Sequence, residues 1–206
     1  MTLKNKFNIE NPVELARVEE KISKQKAISL WQGNELKNFK SGTFKTLAYI
    51  HKRLFEEIYY FAGEIRAENI SKGNFRFASA IYLREAVFSV EKLPQKNFSE
   101  IVKKYVEMNV AHPFREGNGR SMRFWLDDIL KNELQRVIDW SKIDKNAYLQ
   151  AMERSPINDF EIKKLLDAAL TDKINDREIF MKGLDVSYFY ENYFAYRSKD
   201  LEIRSL

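Results

Sequence analysis

Residues that interrupt helices are scarce in this chain, which contains only 7 glycines and 4 prolines among 206 residues. In the segments between these glycines and prolines, apolar side chains mostly recur with a period near 3.6 residues. This period places the apolar side chains on one face of an α-helix. Helix-start signals precede several of these segments, because Asn11 stands before Pro12 and Glu14, and Asn97 is followed by Glu100. The sequence therefore predicts an all-α fold, built as a helical bundle.

The predicted helices can be given approximate bounds. The first begins after Asn11 with Leu15, Val18 and Ile22 on one face, and the second begins at Thr43 with the stripe Leu47, Ile50, Leu54, Ile58 and Phe61. The others cover 79–91, 97–112, the apolar segment around Phe124, Trp125, Ile129 and Leu130, and then 145–154, 159–170 and about 176–193. The polar tail from Ser198 to Leu206 is expected to be frayed.

The segment 65–78 departs from the helical period. Its centre, Lys72-Gly73-Asn74, has turn-forming composition and is flanked by residues of mixed type. Such a pattern predicts a short β-hairpin, or flap, on an otherwise helical body. His51 lies beside Ile50 in the second helical stripe, and we interpret it as structural.

Composition limits the classes of protein to which the chain can belong. With 44% hydrophobic and 14% aromatic residues it is expected to fold as a single domain over 1–206. Cysteine is absent, which excludes disulfides and thiolate metal sites and favours a reducing compartment. The first residues resemble no signal peptide, and the longest apolar run, Ile58–Ala62, is too short to span a membrane. We therefore expect a cytoplasmic protein without membrane contact.

The charge balance gives a weak indication of nucleic-acid binding. The net charge is +5, but the 35 basic residues are interleaved with 30 acidic ones, as on solvated helix faces. The sequence contains no zinc-finger, KH or RNP pattern. Nucleic acid is therefore not the expected partner.

The segment from His112 to Arg123, HPFREGNGRSMR, carries the strongest chemical signal. A histidine at a helix end precedes a two-glycine loop, whose backbone amides and following helix N-terminus favour an anion. Arg120 and Arg123 are three residues apart, so both guanidinium groups can grip phosphate oxygens. Glu116 offers a hard oxygen to Mg²⁺, and Asn118 a neutral donor. Each feature alone is usually structural, but together they suit phosphoryl or nucleotidyl transfer.

The segment lacks the features of two familiar kinds of site. It is not a Walker A loop, because the Gly-Lys-Ser/Thr ending is absent. A metal site made of protein groups alone is also not indicated, because His112 and Glu116 supply only two ligands.

The segment resembles the Fic signature, His-x-Phe-x-(Asp/Glu)-Gly-Asn-Gly-Arg-x-x-Arg, at every defined position. The resemblance covers nearly the whole chain and implies a Fic-type helical bundle that transfers AMP from ATP to a Tyr, Ser or Thr hydroxyl of a target protein. It implies that His112 is the general base and that Glu116 holds Mg²⁺ between the α- and β-phosphates. The implied nucleotide contacts are Asn109, Gly117, Asn118, Gly119, Arg120 and Arg123, with Lys72, Gly73, Asn74 and Phe75 at the tip of a flap on which the target docks.

A second motif lies near the C-terminus. Ser187 and Glu191 are four residues apart, hence on one helix face, and Asn192 follows. Within a Fic protein they resemble the autoinhibitory motif Ser/Thr-x-x-x-Glu-(Gly/Asn), in a helix over about 184–193. The resemblance implies that Glu191 pairs with Arg123 in the place of the γ-phosphate.

Several alternatives remain open at this stage. The same site could transfer another phosphate-containing group, could remove AMP from proteins, or could be the relic of a non-enzymatic helical interaction module. Self-modification is a further hypothesis, because Tyr188, Tyr190 and Tyr193 crowd the inhibitory segment, although aromatic residues there can simply pack the helix down. The sequence also leaves open whether the chain forms a homo-oligomer and whether inhibition acts within one chain or between chains.

Overall fold

The computed structural model describes residues 2–73 and 75–201 as a mainly helical protein, so the predicted fold class is confirmed. The helices are α1 Pro12–Gln32, α2 Phe44–Phe55, α3 Leu83–Glu91, α4 Phe98–Ala111, α5 Asn118–Leu134, α6 Lys145–Arg154, α7 Phe160–Ala168, α8 Arg177–Phe189 and α9 Ser198–Leu201. The strands are β1 Ser71–Lys72, β2 Phe75–Arg76, β3 Val137–Ile138 and β4 Leu170–Thr171, and short 3₁₀ turns cover Glu35–Asn38, Ala80–Tyr82 and Trp140–Lys142.

The predicted helix starts are confirmed by their caps. The Asn11 side chain accepts from the amides of Val13 and Glu14, and the Asn97 side chain accepts from the amide of Glu100. Such caps satisfy donors that have no partner within the helix, and each stabilises the fold by about 1 kcal/mol. These starts were predictable because the signal is local.

Several helix ends differ from the prediction. Helix α2 ends at Phe55 and not at Phe61, because the Lys6 amide donates to the carbonyl of Ile58 and a turn takes the place of the last helical turns. Helix α8 ends at Phe189, before a turn in which Asn192 has a φ of 66°. The residues 198–201, predicted to be frayed, form α9, whereas 202–206 lie outside the described residues.

Two further departures involve short elements. Helix α3 begins at Leu83 and not near Ser79, because the intervening residues form a 3₁₀ turn. Helix α7 ends at Ala168, and the chain then pairs as β4 with β3 in a small antiparallel sheet that the sequence did not indicate.

The buried face of α1 contains charged residues that the apolar stripe Leu15, Val18 and Ile22 did not indicate. Val18 and Ile22 are only partly buried, whereas Glu19, Glu20 and Lys24 are each 1% exposed. These charges are buried because they find partners: Lys24 lies 3.0 Å from Glu20, and Glu20 in turn accepts from backbone amides near the C-terminus. Buried charges are tolerated in proteins when they are paired in this way.

Helix α5 occupies the centre of the fold. Trp125, Leu126, Ile129 and Leu130 are fully buried along it, and it packs against α2, α4 and α8. The N-terminal end of α5 therefore lies where the end of α4, the end of α8 and α2 approach one another.

The predicted hairpin is present beside the N-terminal end of α5. Strands β1 and β2 pair antiparallel, with Ser71 opposite Arg76 and Lys72 opposite Phe75. Asn74, at the predicted turn, lies outside the described residues. Over 2–73 and 75–201, every helix is too short or too polar to cross a lipid bilayer.

Candidate active site

His112 terminates α4 in a backbone conformation that favours glycine or asparagine. Its φ is 49°, and Pro113 follows, which prevents the helix from continuing. The Nδ1 atom lies 3.2 Å from the carbonyl oxygen of Asn109, so Nδ1 carries the hydrogen and Nε2 remains as the proton acceptor. Burial lowers the pKa of His112 to about 4, against a hydrogen bond to Asn109 that raises it. At neutral pH the ring is therefore an uncharged base.

The loop after His112 is held by the side chain of Asn118. Its Nδ2 donates to the carbonyl of Phe114 at 2.7 Å, and its Oδ1 accepts from the amide of Phe114 at 2.8 Å. In this structure the side chain closes the loop, and its contact with a phosphate stays a prediction. The first-turn amides of α5, which begins at Asn118, remain the anion-attracting groups of the loop.

Position 117 requires glycine, both because its backbone is left-handed and because the Phe55 ring leaves no room for a side chain. Its φ is 79°, and a Cβ atom built on it would lie 2.4 Å from the Phe55 ring. A side chain here would therefore displace the loop from α2.

Glu116 is the acidic residue of the loop. Its Oε1 accepts from the Gly117 amide at 2.8 Å and from Arg120 Nη2 at 3.2 Å, and its side chain is 44% exposed. Among the described residues no group of three His, Asp or Glu side chains can hold a metal by itself. The exposed carboxylate of Glu116 could supply one oxygen ligand to a Mg²⁺ ion whose other ligands are phosphates and water.

Arg120 is buried and connects Glu116 of the loop to Glu19 of α1. It is 1% exposed, and its Nη1 donates to Glu19 of α1 at 2.6 Å. The guanidinium also lies 4.8 Å from the ring centres of both Phe55 and Tyr193. In this state Arg120 and Arg123 each have their own protein partners, and their joint contact with phosphates stays a prediction.

Arg123 is held by the C-terminal segment. Its Nε donates to Ser187 Oγ and its Nη2 to the Ser187 carbonyl, both at 2.7 Å, and Nη2 also lies 3.1 Å from Glu191 Oε1. The structure thus brings Ser187 and Glu191 into contact with a residue that lies more than sixty positions earlier in the chain. We call this contact of Ser187 and Glu191 with Arg123 the latch.

The carboxylate of Glu191 lies over the start of α5. A Cβ atom built on Gly119 would be 2.6 Å from Glu191 Oε1, and Lys72 Nζ of the flap lies 3.6 Å from Oε2. Burial alone would raise the pKa of Glu191, but Arg123, Lys72 and Arg120 together lower it to about 2. The Glu191 carboxylate of the latch therefore places a negative charge at the N-terminus of α5, among the positive charges of Arg123, Lys72 and Arg120.

The remaining predicted site residues have the following positions. Asn192 accepts from Lys145 Nζ at 2.6 Å at the end of α8, and Asn109 lies one turn before His112. In the flap, Gly73 has a φ of 58°, and the Phe75 ring packs against Phe77 at 5.1 Å.

The three tyrosines of the inhibitory segment are packed in this state. Tyr188 is fully buried, the Tyr190 hydroxyl donates to the Ile143 carbonyl at 2.8 Å, and the Tyr193 hydroxyl donates to Glu19 at 2.7 Å. Self-modification would require this segment to leave its position first.

Two residues at the site were not identified from the sequence as part of it. Glu19 accepts hydrogen bonds from both Arg120 and Tyr193. The neighbouring sequence indicates only that Glu19 lies in a helix. His51 was assigned a structural role only, but its Nδ1 accepts from the Gly63 amide and its Nε2 lies 2.8 Å from the Glu116 carbonyl, so it also fixes the loop.

These observations define a helical protein whose histidine-bearing anion loop is covered by its own C-terminal segment. Residues 42–130 match the model of the Fic/DOC family, the family that the signature indicated. The matched region includes α2, the flap, α4, the loop and most of α5, but ends before the latch residues of α8.

Two curated relatives carry adenylyltransferase names. The chain is 28% identical over 194 residues to "Protein adenylyltransferase VbhT" of Bartonella schoenbuchensis, covering 89% of this chain but only 39% of that protein. It is 21% identical over 187 residues to "Probable protein adenylyltransferase Fic" of Escherichia coli, covering 85% and 90% of the two chains. The chain thus spans about two fifths of the first relative and most of the second.

Solved Fic structures share the fold. The BepC protein of Bartonella tribocorum, solved with bound AMPPNP, superposes with a TM-score of 0.67 at 19% identity, over 83% of this chain and 93% of that one. At this identity the likeness establishes the fold alone, and it confirms the predicted Fic-type bundle with a hairpin flap.

Proposed function

We propose that this chain is a protein adenylyltransferase that moves AMP from ATP to a hydroxyl of a target protein. The observation that carries this proposal is the arrangement of a neutral histidine, an anion loop and a helix N-terminus within one Fic/DOC domain. The names of the relatives and the AMPPNP bound to BepC support ATP as the second substrate.

The proposed reaction is a substitution at the α-phosphorus. The target's hydroxyl oxygen attacks that atom, its proton passes to Nε2 of His112, and the bond to the bridging oxygen of the β-phosphate breaks, so that pyrophosphate leaves. The amides at the start of α5 stabilise the charge that develops on the phosphate oxygens. Mg²⁺, held by Glu116 together with the phosphates, would supply further charge neutralisation.

The latch is proposed to be inhibitory. Glu191 carries a negative charge beside Gly119 and Arg123, where phosphate oxygens of ATP would otherwise be bound. Ser187 adds two hydrogen bonds to the same guanidinium, so both Nε and Nη2 of Arg123 are occupied while α8 is in place. In the open state, Arg123 would be released to bind the γ-phosphate.

The contacts of Arg120 indicate a role different from that of a simple phosphate ligand. Its ion pair with buried Glu19 and its packing against Tyr193 connect the loop both to α1 and to the segment after α8. We propose that Arg120 mainly supports the loop in the closed state and contacts the β-phosphate only after Tyr193 has moved.

Labelled nucleotide tests the reaction type. The Glu191→Gly variant is incubated with a lysate and with ATP labelled at either the α- or the γ-phosphate, and labelled proteins are identified by mass spectrometry. Transfer of the α-label with a mass increase equal to AMP supports the proposal. Transfer of only the γ-label would identify a kinase instead, and no transfer of either label would favour a binding module.

A matched variant connects the reaction to this site. Addition of His112→Ala to Glu191→Gly should remove the transfer while ATP still binds, because the histidine contributes a proton acceptor and not a phosphate contact. Persistence of labelling in that double variant would assign the activity to another site or to a contaminant.

A further inference from the structure

Arg66 lies at the base of the flap and is 5% exposed. Its guanidinium donates to four main-chain carbonyl oxygens: Nε to His112 at 2.8 Å, Nη2 to Ala111 at 3.1 Å and to Ala78 at 2.7 Å, and Nη1 to Glu68 at 2.5 Å. Two of these carbonyls end α4, and the other two belong to the two stems of the flap. One side chain therefore joins three segments of backbone.

The hydrogen bonds that the structure shows for this guanidinium all end on carbonyl oxygens. The pKa of Arg66 is lowered, because burial removes the charged guanidinium from water. The charge is stabilised by its position at the C-terminal end of α4, where the helix dipole is negative. A planar fork can serve four acceptors at fixed angles, whereas a lysine ammonium has three donors on a flexible stem and cannot reproduce this geometry.

Backbone hydrogen bonds join the same segments. The Arg66 amide donates to the Pro113 carbonyl at 2.9 Å, and the Ala78 amide donates to the Val110 carbonyl at 3.0 Å. The flap stems are thus attached to residues 110–113, which include the candidate base. The Phe77 ring, next to the second stem, stacks on the His112 ring with 3.6 Å between centroids.

We infer that Arg66 is a positioning residue that holds the flap and the His112 ring in one register. An extended target segment that pairs with the flap is then placed so that its hydroxyl meets Nε2 of His112. The inference rests on the proposed function for its effect on turnover, but its effect on the flap is independent of any activity.

Loss of the Arg66 hydrogen bonds is expected to impair use of the protein acceptor and to leave ATP binding unchanged. The anion loop is held by Asn118, His51 and the start of α5, none of which is a hydrogen-bond partner of Arg66. Loss of the fork should therefore displace the flap relative to His112 and leave the nucleotide site intact. A misplacement of about 1 Å between reacting groups can reduce the rate about a hundredfold.

The test compares Arg66→Lys with Arg66→Met in the Glu191→Gly background. Arg84→Lys is the matched control, because Arg84 lies exposed on α3 and undergoes the same chemical change. Hydrogen exchange is measured by mass spectrometry, ATP affinity by calorimetry, and kcat/KM with the acceptor protein that the α-label identifies.

In Arg66→Lys, exchange should accelerate in the flap stems and at the end of α4 while the core of α5 stays protected. The kcat/KM for the acceptor should fall by about tenfold to a hundredfold with ATP affinity unchanged, and Arg84→Lys should match the parent. Arg66→Met should give a larger effect in the same places.

Two outcomes would overturn the inference. Unchanged exchange in the flap of Arg66→Lys would show that the fork does not hold it, and equal acceleration in α5 would show that Arg66 only stabilises the whole fold. If the parent transfers no AMP, the proposed function fails, but the exchange measurement still decides whether Arg66 positions the flap.

Discussion

The latch makes a quantitative prediction for Glu191→Gly. A pKa of about 2 for Glu191, against an ordinary value of 4.5, means that its surroundings favour the charged carboxylate by about 3 kcal/mol. Arg123 makes the largest favourable contribution, and Lys72 and Arg120 share the remainder. If this free energy holds the closed state, its loss increases the open population, and with it AMP transfer, by at most on the order of a hundredfold.

The structure also predicts that Glu191→Gly releases the latch only in part. Ser187 keeps two hydrogen bonds to Arg123 after the carboxylate is removed. Truncation before Ser187 should therefore give a larger increase, and Glu191→Gln, which keeps the shape but loses the charge, a smaller one. Because the pKa of Glu191 is depressed, the interaction is complete above pH 4.5 and lost only as pH falls toward 2, so pH between 6 and 8 should not relieve inhibition.

The assay is the initial rate of α-label transfer at saturating ATP, with folding checked by circular dichroism. Glu10→Gly is a suitable control, because Glu10 is exposed in the loop before α1 and undergoes the same change. A folded Glu191→Gly protein with the same rate as the wild type would refute the inhibitory role and leave only the catalytic part of the proposal.

Three further predictions concern the loop. His112→Ala should abolish transfer in the de-inhibited enzyme while calorimetry shows ATP affinity within a few fold, since a positioned base contributes about 10²–10⁴ in rate. The rate of that enzyme should be level from pH 8 to about 5 and should fall toward pH 4, where Nε2 of His112 becomes protonated; a midpoint near pH 6.5 would contradict the burial of the ring. Asn118→Ala leaves the amide and carbonyl of Phe114 unpaired, at a cost of about 1–3 kcal/mol each, so its thermal midpoint should drop by several degrees and its ATP affinity should weaken.

Features with local causes were predictable from the sequence. The starts of α1 and α4 follow from asparagine caps, and the hairpin follows from the turn composition around Gly73. The end of α4 was predictable because Pro113 excludes helical geometry for the residue before it. The chemistry-bearing loop was also readable, because its residues are contiguous.

Features with distant causes were not predictable in this way. The early end of α2 depends on an amide of Lys6, which lies about fifty residues earlier in the chain. The buried charge of Glu19 is explained only by Arg120 and Tyr193, which lie far along the sequence from it. Likewise, the carbonyl acceptors of Arg66 are main-chain atoms, which leave no trace in residue identity.

In the structure the latch joins residues of one chain, with Ser187 and Glu191 lying 64 and 68 positions beyond Arg123. Closure is therefore a unimolecular equilibrium, and its position does not depend on how much of the protein is present. A tethered partner acts at an effective concentration that reaches about millimolar for short flexible connections. Under the proposed inhibition, a contact too weak to retain a separate inhibitor is sufficient, and we expect that dilution alone does not activate the protein. A competitor for Arg123, such as the phosphates of abundant nucleotide, or a partner that captures the released segment, is then expected to shift the balance.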